Sequence, residues 1–217
     1  MASRVAGTVA EGGSKISVTL KGLSRSVLPN DLKRLCGRLR VENVASVAVN
    51  YTRFRPNGSA TLAFTRPEFV PAAVKALDRH VLGGKIIRAE ASDEIPQLPR
   101  TRGPKGALEA AQRAVYRGDG PNAGITGGGR TVLLYGLPAR LTPQIVTDNL
   151  RNFKFAGSEK GVPAVLKIVY AQSSMSRFLI RLASVSEAYR FVRSLHMQKW
   201  RPDLYNDQFI VRASLVS

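Results

Sequence analysis

The sequence predicts an α+β protein of two consecutive sandwiches, each a four-stranded antiparallel sheet with two helices on one face. Three observations predict it. Segments 18–23 and 132–137 share the pattern V-x-L-x-G-L, 114 positions apart. After each of them a proline, Pro29 or Pro143, opens a helical stretch. Both halves then run through two alternating segments, a second helical segment and a last alternating segment, so that a whole β-α-β-β-α-β unit repeats. The predicted boundaries are 14–91 for the first domain, 92–130 for a Pro/Gly-rich basic linker and 131–217 for the second domain.

In the first unit, 18–23 reads as a short apolar strand that ends at Gly22 and enters a polar turn. Proline suits the first turn of the following helix, where its missing N–H has no intrahelical acceptor. Leu28, Leu32, Leu35, Cys36 and Leu39 recur at helical spacing and leave Lys33, Arg34 and Arg38 off the apolar stripe. Val47 and Val49 alternate in a strand over 44–51, and a loop is predicted over 52–58. Ala60, Leu62 and Phe64 share one face of a strand over 59–64. A second helix is predicted from Thr65 to Asp78, a turn at Gly83 and Gly84, and a fourth strand over 85–91.

The second unit repeats the pattern, with strands over 131–136, 164–171, 177–183 and 208–214 and a first helix over 144–152. Its second helix opens on Ser184 and Glu187, a capping-box spacing, and carries Ala188, Val192 and Leu195 as its apolar stripe. The long stretch 196–207, with Trp200, Pro202 and Tyr205, is predicted to be an ordered loop packed by its aromatics. Between the units, 92–130 holds one helix-prone piece, 105–117, and ends in the Gly127 to Gly129 triplet. A flexible tether and a packed linker helix both fit that composition.

Charge narrows the function. The chain has 33 Lys+Arg against 15 Asp+Glu, a net of +18. The three segments carry +9, +2 and +7, so both units are basic and no single tail explains the total. A sequence pI of about 10.9 is the electrostatic footprint of a nucleic-acid binder. Arg outnumbers Lys by 23 to 10, and guanidinium groups grip phosphates in pairs and stack on bases. A basic surface kept for solubility is the competing reading.

Two such units with V-x-L-x-G-L on the first strand resemble the RNA recognition motif family, over roughly 16–91 and 131–215. The resemblance implies ferredoxin-like sandwiches whose first and third strands present aromatics that stack on bases, while the opposite face packs on the helices. The chain departs from that pattern in its chemistry. In the first unit the stacking positions hold Thr19, Ser59 and Thr61, and Phe64 falls on the core side. In the second they hold Leu133, Arg177 and Leu179, with Tyr135 two residues along on the same face. Stacking contributes about 1–3 kcal/mol per base, so binding through these sheets is expected to rest on phosphate contacts instead.

The expected RNA contacts are Lys21 and Arg88 on the first sheet face, Arg53, Phe54 and Arg55 in the 52–58 loop, and Tyr135 with Lys167, Arg177, Arg181 and Arg212 on the second sheet face. The helix face of Lys33, Arg34 and Arg38 could contact a structured RNA from behind. The alternative is an apolar patch of Leu133, Val165, Leu179 and Ile210 that docks a protein of an RNA-processing or ribosomal assembly.

No catalytic constellation stands out. There is no G-x-x-x-x-G-K-[ST] loop, and the glycine triplet precedes a strand rather than following one. The single cysteine, Cys36, sits on an apolar stripe, and two histidines leave little for a metal cluster or a triad. No apolar run approaches the roughly 18 residues of a membrane span. The expectation is a non-catalytic, cofactor-free, intracellular protein of the nucleus or mitochondrial matrix, partnered by RNA and by ribonucleoprotein proteins.

Overall fold

The structure is a computed structural model in which residues 16–92, 118–125, 129–157, 163–169 and 173–216 are described. The predicted linker helix over 105–117 and the extreme N-terminal segment lie outside the described residues.

The first unit runs β1 (Ser17–Lys21), α1 (Pro29–Arg38), β2 (Val44–Thr52), β3 (Arg55–Phe64), a 3-10 turn at Pro67–Phe69, α2 (Val70–Leu77), the small hairpin β4 (Val81–Leu82) and β5 (Lys85–Ile86), and β6 (Arg88–Ser92). The second runs β8 (Thr131–Pro138), α3 (Pro143–Asn149), β9 (Val165–Ile168), β10 (Met175–Arg181), α4 (Val185–Leu195), α5 (Pro202–Tyr205) and β11 (Arg212–Val216). Each sheet has the same antiparallel strand order, β6-β1-β3-β2 and β11-β8-β10-β9. The first gains a fifth strand at its β2 edge, β7 (Gly120–Pro121), contributed by the chain between the units.

Alternation puts Val18 and Leu20 of β1 beside Leu62 and Ala60 of β3, and all four are buried against Leu32 and Leu35 of α1 and Ala73 and Leu77 of α2. Cys36 belongs to this core, and burial pushes its thiol above the ordinary range. In the second unit Val132 and Leu134 pack with Phe178, Ile180, Val146 and Phe191. Trp200 is buried in that core and Tyr205 meets Phe209 edge-on at 5.4 Å, so 196–207 is ordered and folds partly as α5. Ser184 caps α4 by accepting from the Glu187 N–H at 3.1 Å. The Glu187 carboxylate does not close the box back onto Ser184; it accepts from the Lys154 N–H at 2.8 Å and from Arg190.

The repeated glycine has one physical cause in both units. Gly22 and Gly136 take φ of +80° and +86°, and a Cβ at either would collide with a backbone carbonyl, of Ile86 or Ile210. Only glycine permits both the left-handed backbone and the close approach.

Candidate nucleic-acid interface

The predicted 52–58 loop is a tight hairpin. Thr52 pairs with Arg55, leaving Arg53 and Phe54 as a two-residue turn with φ of 50° and 61°. Such turns need positive φ at both central residues and normally recruit Asn and Gly. Left-handed backbone costs an ordinary residue about 1–2 kcal/mol, so something must hold it. The returning chain does so. The Phe54 N–H donates to the Gly118 carbonyl at 2.8 Å and the Arg53 N–H donates to Asp119 Oδ1 at 2.8 Å. Gly120 and Pro121 then pair with Tyr51 and Asn50. The Phe54 ring is 0% exposed and leaves no room for a Cβ at Gly118. Phe54 is therefore a buried clip rather than a stacking platform, whereas Arg53 and Arg55 stay exposed on either side of it.

The open face of the second sheet is used inside the molecule. Leu133 and Leu179 are 1% and 5% exposed. With Ile168 and Val216 they join the buried cluster that contains Tyr51, Phe54 and Ala123, and Tyr135 and Leu166 pack against it. The apolar patch expected for a protein partner is thus largely covered by the chain itself.

Register corrects three placements. Leu179 pairs with Leu166, and Arg177 with Ile168, so those β9 residues face the sheet side. Val165 lies instead in the helix-side core. Lys167 lies opposite Phe178 on that side, and its Nζ donates to the carbonyls of Ala139 and Leu141 at 2.8 Å each. Ile210 precedes the last strand and bridges to Lys199, away from the patch.

What remains at the junction is cationic. Arg177, Tyr135 and Arg212 form one cross-strand row, Tyr135 pairing with Arg177 on β10 and with Arg212 on β11. Arg55 of the first unit sits over the Tyr135 ring, 5.3 Å from its centroid. Neither Arg55 nor Arg212 forms an ion pair with a described carboxylate, whereas Lys21, Arg190, Lys199 and Arg201 all do. Arg55 and Arg212, both exposed, leave guanidinium charge at the two sides of this row, where an anion would be favoured.

The other expected contacts are dispersed. Lys21 is bound to Glu90 across the β1–β6 pair, and Arg88 beside it is exposed. The first sheet face is small and polar, with Asn50 Nδ2 donating to Ser59 Oγ and Thr61 Oγ1 at 3.1 Å. Arg181 is half-buried at the far end of β10, and its Nε and Nη2 find no hydrogen-bond partner among the described residues.

No protein-family model matches the sequence, and no curated protein matches it. In structure the chain is similar to the Sxl-lethal protein/RNA complex, at 10% identity over 93% of this chain and 99% of that chain, with a TM-score of 0.33. It is also similar to the first two RRM domains of yeast poly(U) binding protein, Pub1, at 10% identity, 93% and 99% coverage and a TM-score of 0.32. The RNA15 RRM matches 38% of this chain and 94% of its own length at 20% identity, with a TM-score of 0.34. At such identities and scores, the strand order and register described above define the fold.

Proposed function

We propose that this chain is a non-catalytic RNA-binding protein that holds RNA by Arg–phosphate contacts at the junction of its two units. The arrangement that carries the reading is Arg55 of the first unit over the Tyr135 ring of the second, with Arg177 and Arg212 as the cross-strand neighbours of Tyr135. The net charge of +18 supplies long-range attraction for a polyanion, and the excess of Arg suits paired phosphate contacts. One face of Tyr135 already carries a guanidinium, so the ring stacks on at most one base. Contacts of this kind position RNA without reading its sequence, which suits a structured RNA within an intracellular ribonucleoprotein. Arg53 and Arg88 extend the exposed cationic surface of the first unit.

The protein-docking alternative needs Leu133 and Leu179 open, and their burial argues against it. Ultraviolet crosslinking of the full chain to a labelled structured RNA, followed by peptide mapping, separates the readings. Adducts in the peptides that hold Tyr135, Arg177 and Arg212 are expected. Adducts confined to the helical side of either unit would overturn the assignment.

A further inference from the structure

Away from the junction, α1 and the β4–β5 hairpin bound a groove of about 790 Å³. Val27, Gly37 and Leu82 give it an apolar floor, and Arg34 and Arg38 stand one helical turn apart along its rim. Both arginines are exposed, and neither has an ion-pair or hydrogen-bond partner among the described residues. The one carboxylate in the groove, Asp31, is engaged at the helix start, where its Oδ2 accepts from the Leu28 N–H at 3.0 Å. Arg25 and Lys33, also exposed, add to the positive field around it. The hairpin beside the groove carries two more uncovered apolar side chains, Val81 at 57% and Ile86 at 64% exposure.

We infer that this groove docks an acidic peptide segment of a partner protein, an apolar side chain seated on Val27 and Leu82 and carboxylates paired with Arg34 and Arg38. Two features select a peptide over a nucleotide. No aromatic ring lines the groove, so a base would have no platform to stack on. Its floor is apolar, which rewards a Leu- or Phe-like anchor and gives nothing to a sugar-phosphate chain. Charge selects an acidic peptide over a basic one, since a basic segment would bring like charges against Arg34 and Arg38. The inference stands independently of the RNA contact at the junction.

The test is selection of a displayed library of short random peptides on the full-length chain, followed by titration of the enriched peptides into isotope-labelled protein. Enriched sequences are expected to combine Asp or Glu with one or two large apolar residues. They should shift amide signals at Ser24, Ser26, Arg34, Arg38 and Gly83, and bind about tenfold more weakly to R34E/R38E and to L82Q. Arg34 and Arg38 are exposed, whereas Leu82 is half-buried against the core, so an unchanged melting temperature in each variant is required to show that the fold is kept. The inference is overturned if nothing acidic is enriched, if the peptides bind the variants as well as the native chain, or if an oligouridylate shifts the groove signals instead. Loss of RNA binding in R34E/R38E with no peptide enriched would make the groove part of the RNA surface; RNA binding that persists there leaves the junction reading standing alone.

Discussion

Removing the three junction guanidiniums together tests the phosphate reading by a quantity that folding defects do not imitate. In the triple variant R55A/R177A/R212A, all three substitutions lie at residues whose side chains are exposed or half-buried. Each lost contact to a helical RNA reduces the slope of log K against log salt by about 0.9, so three contacts remove about 2.7 from the native slope. Over a fourfold rise in salt that is a factor of about 3.5 per contact, and the native chain should lose about 40-fold more affinity than the variant. Fluorescence anisotropy with a labelled RNA, run from roughly 50 to 200 mM monovalent salt, measures both slopes. The double variant R34A/R38A, on the far face of α1, should keep the native slope. Equal slopes for the native and triple-variant chains would refute the junction assignment, as would an equal loss in R34A/R38A.

Three further outcomes follow from the packing. Phe54→Ala empties a fully buried ring site and should cost about 3–5 kcal/mol, read as a fall in the denaturation midpoint. A cost below about 1 kcal/mol would mean that the clip does not hold the hairpin. Leu179→Asp puts a carboxylate into the shared apolar cluster and should part the units, seen as a larger radius of gyration by solution scattering; an unchanged radius would contradict the docked arrangement. Glu187 is held down to about 2 by its hydrogen bonds to Arg190 and to the Lys154 N–H, against an ordinary 4.5. Because the folded-state value is depressed, the stabilisation is complete above the ordinary value and is lost as pH falls from about 4.5 towards 2. Melting temperatures across that window should fall less steeply in E187Q than in the native chain, and parallel curves would exclude the linkage.

The order of elements was legible because each local signal agreed with the next. The repeated V-x-L-x-G-L carried the first strands, proline the helix starts, and the Ala60, Leu62 and Phe64 alternation a buried face. The errors fall where alternation has nothing to grip. From Ala164 to Val169 both faces of the strand are apolar apart from Lys167, so composition does not say which face is which. Pairing with β10 decides it, and Lys167 is tolerated on the helix side because its ammonium reaches two carbonyls. Phe54 between two arginines reads as an exposed tip, and what buries it lies more than sixty positions downstream, at Gly118 to Pro121. No local pattern announces a two-residue strand, and a contact of that sequence separation is set by tertiary packing alone. Tyr135 and Arg177 could be placed on one face from sequence; the approach of Arg55 to Tyr135 could not.

The docked arrangement also accounts for the missing stacking rings of the second unit. Leu133 and Leu179 occupy positions at which the resemblance to the RNA recognition motif calls for aromatics, and both are turned into the shared cluster rather than towards solvent. A face committed to an intramolecular contact gains from aliphatic side chains that pack, and has no use for rings that must stay open. The same contact brings Arg55 from one unit over Tyr135 of the other, whose cross-strand neighbours are Arg177 and Arg212. Docking thus closes this sheet face to stacking and, on the proposed reading, assembles a phosphate-binding row in its place. The apolar cluster and the Phe54 clip favour docking. On the proposed reading, an RNA that contacts Arg55 and Arg212 together would bind the docked state better than the parted one, so RNA and docking would reinforce each other. At a hundredfold excess over its dissociation constant, such a ligand stabilises the docked form by about 2.7 kcal/mol, comparable to burying one large apolar side chain.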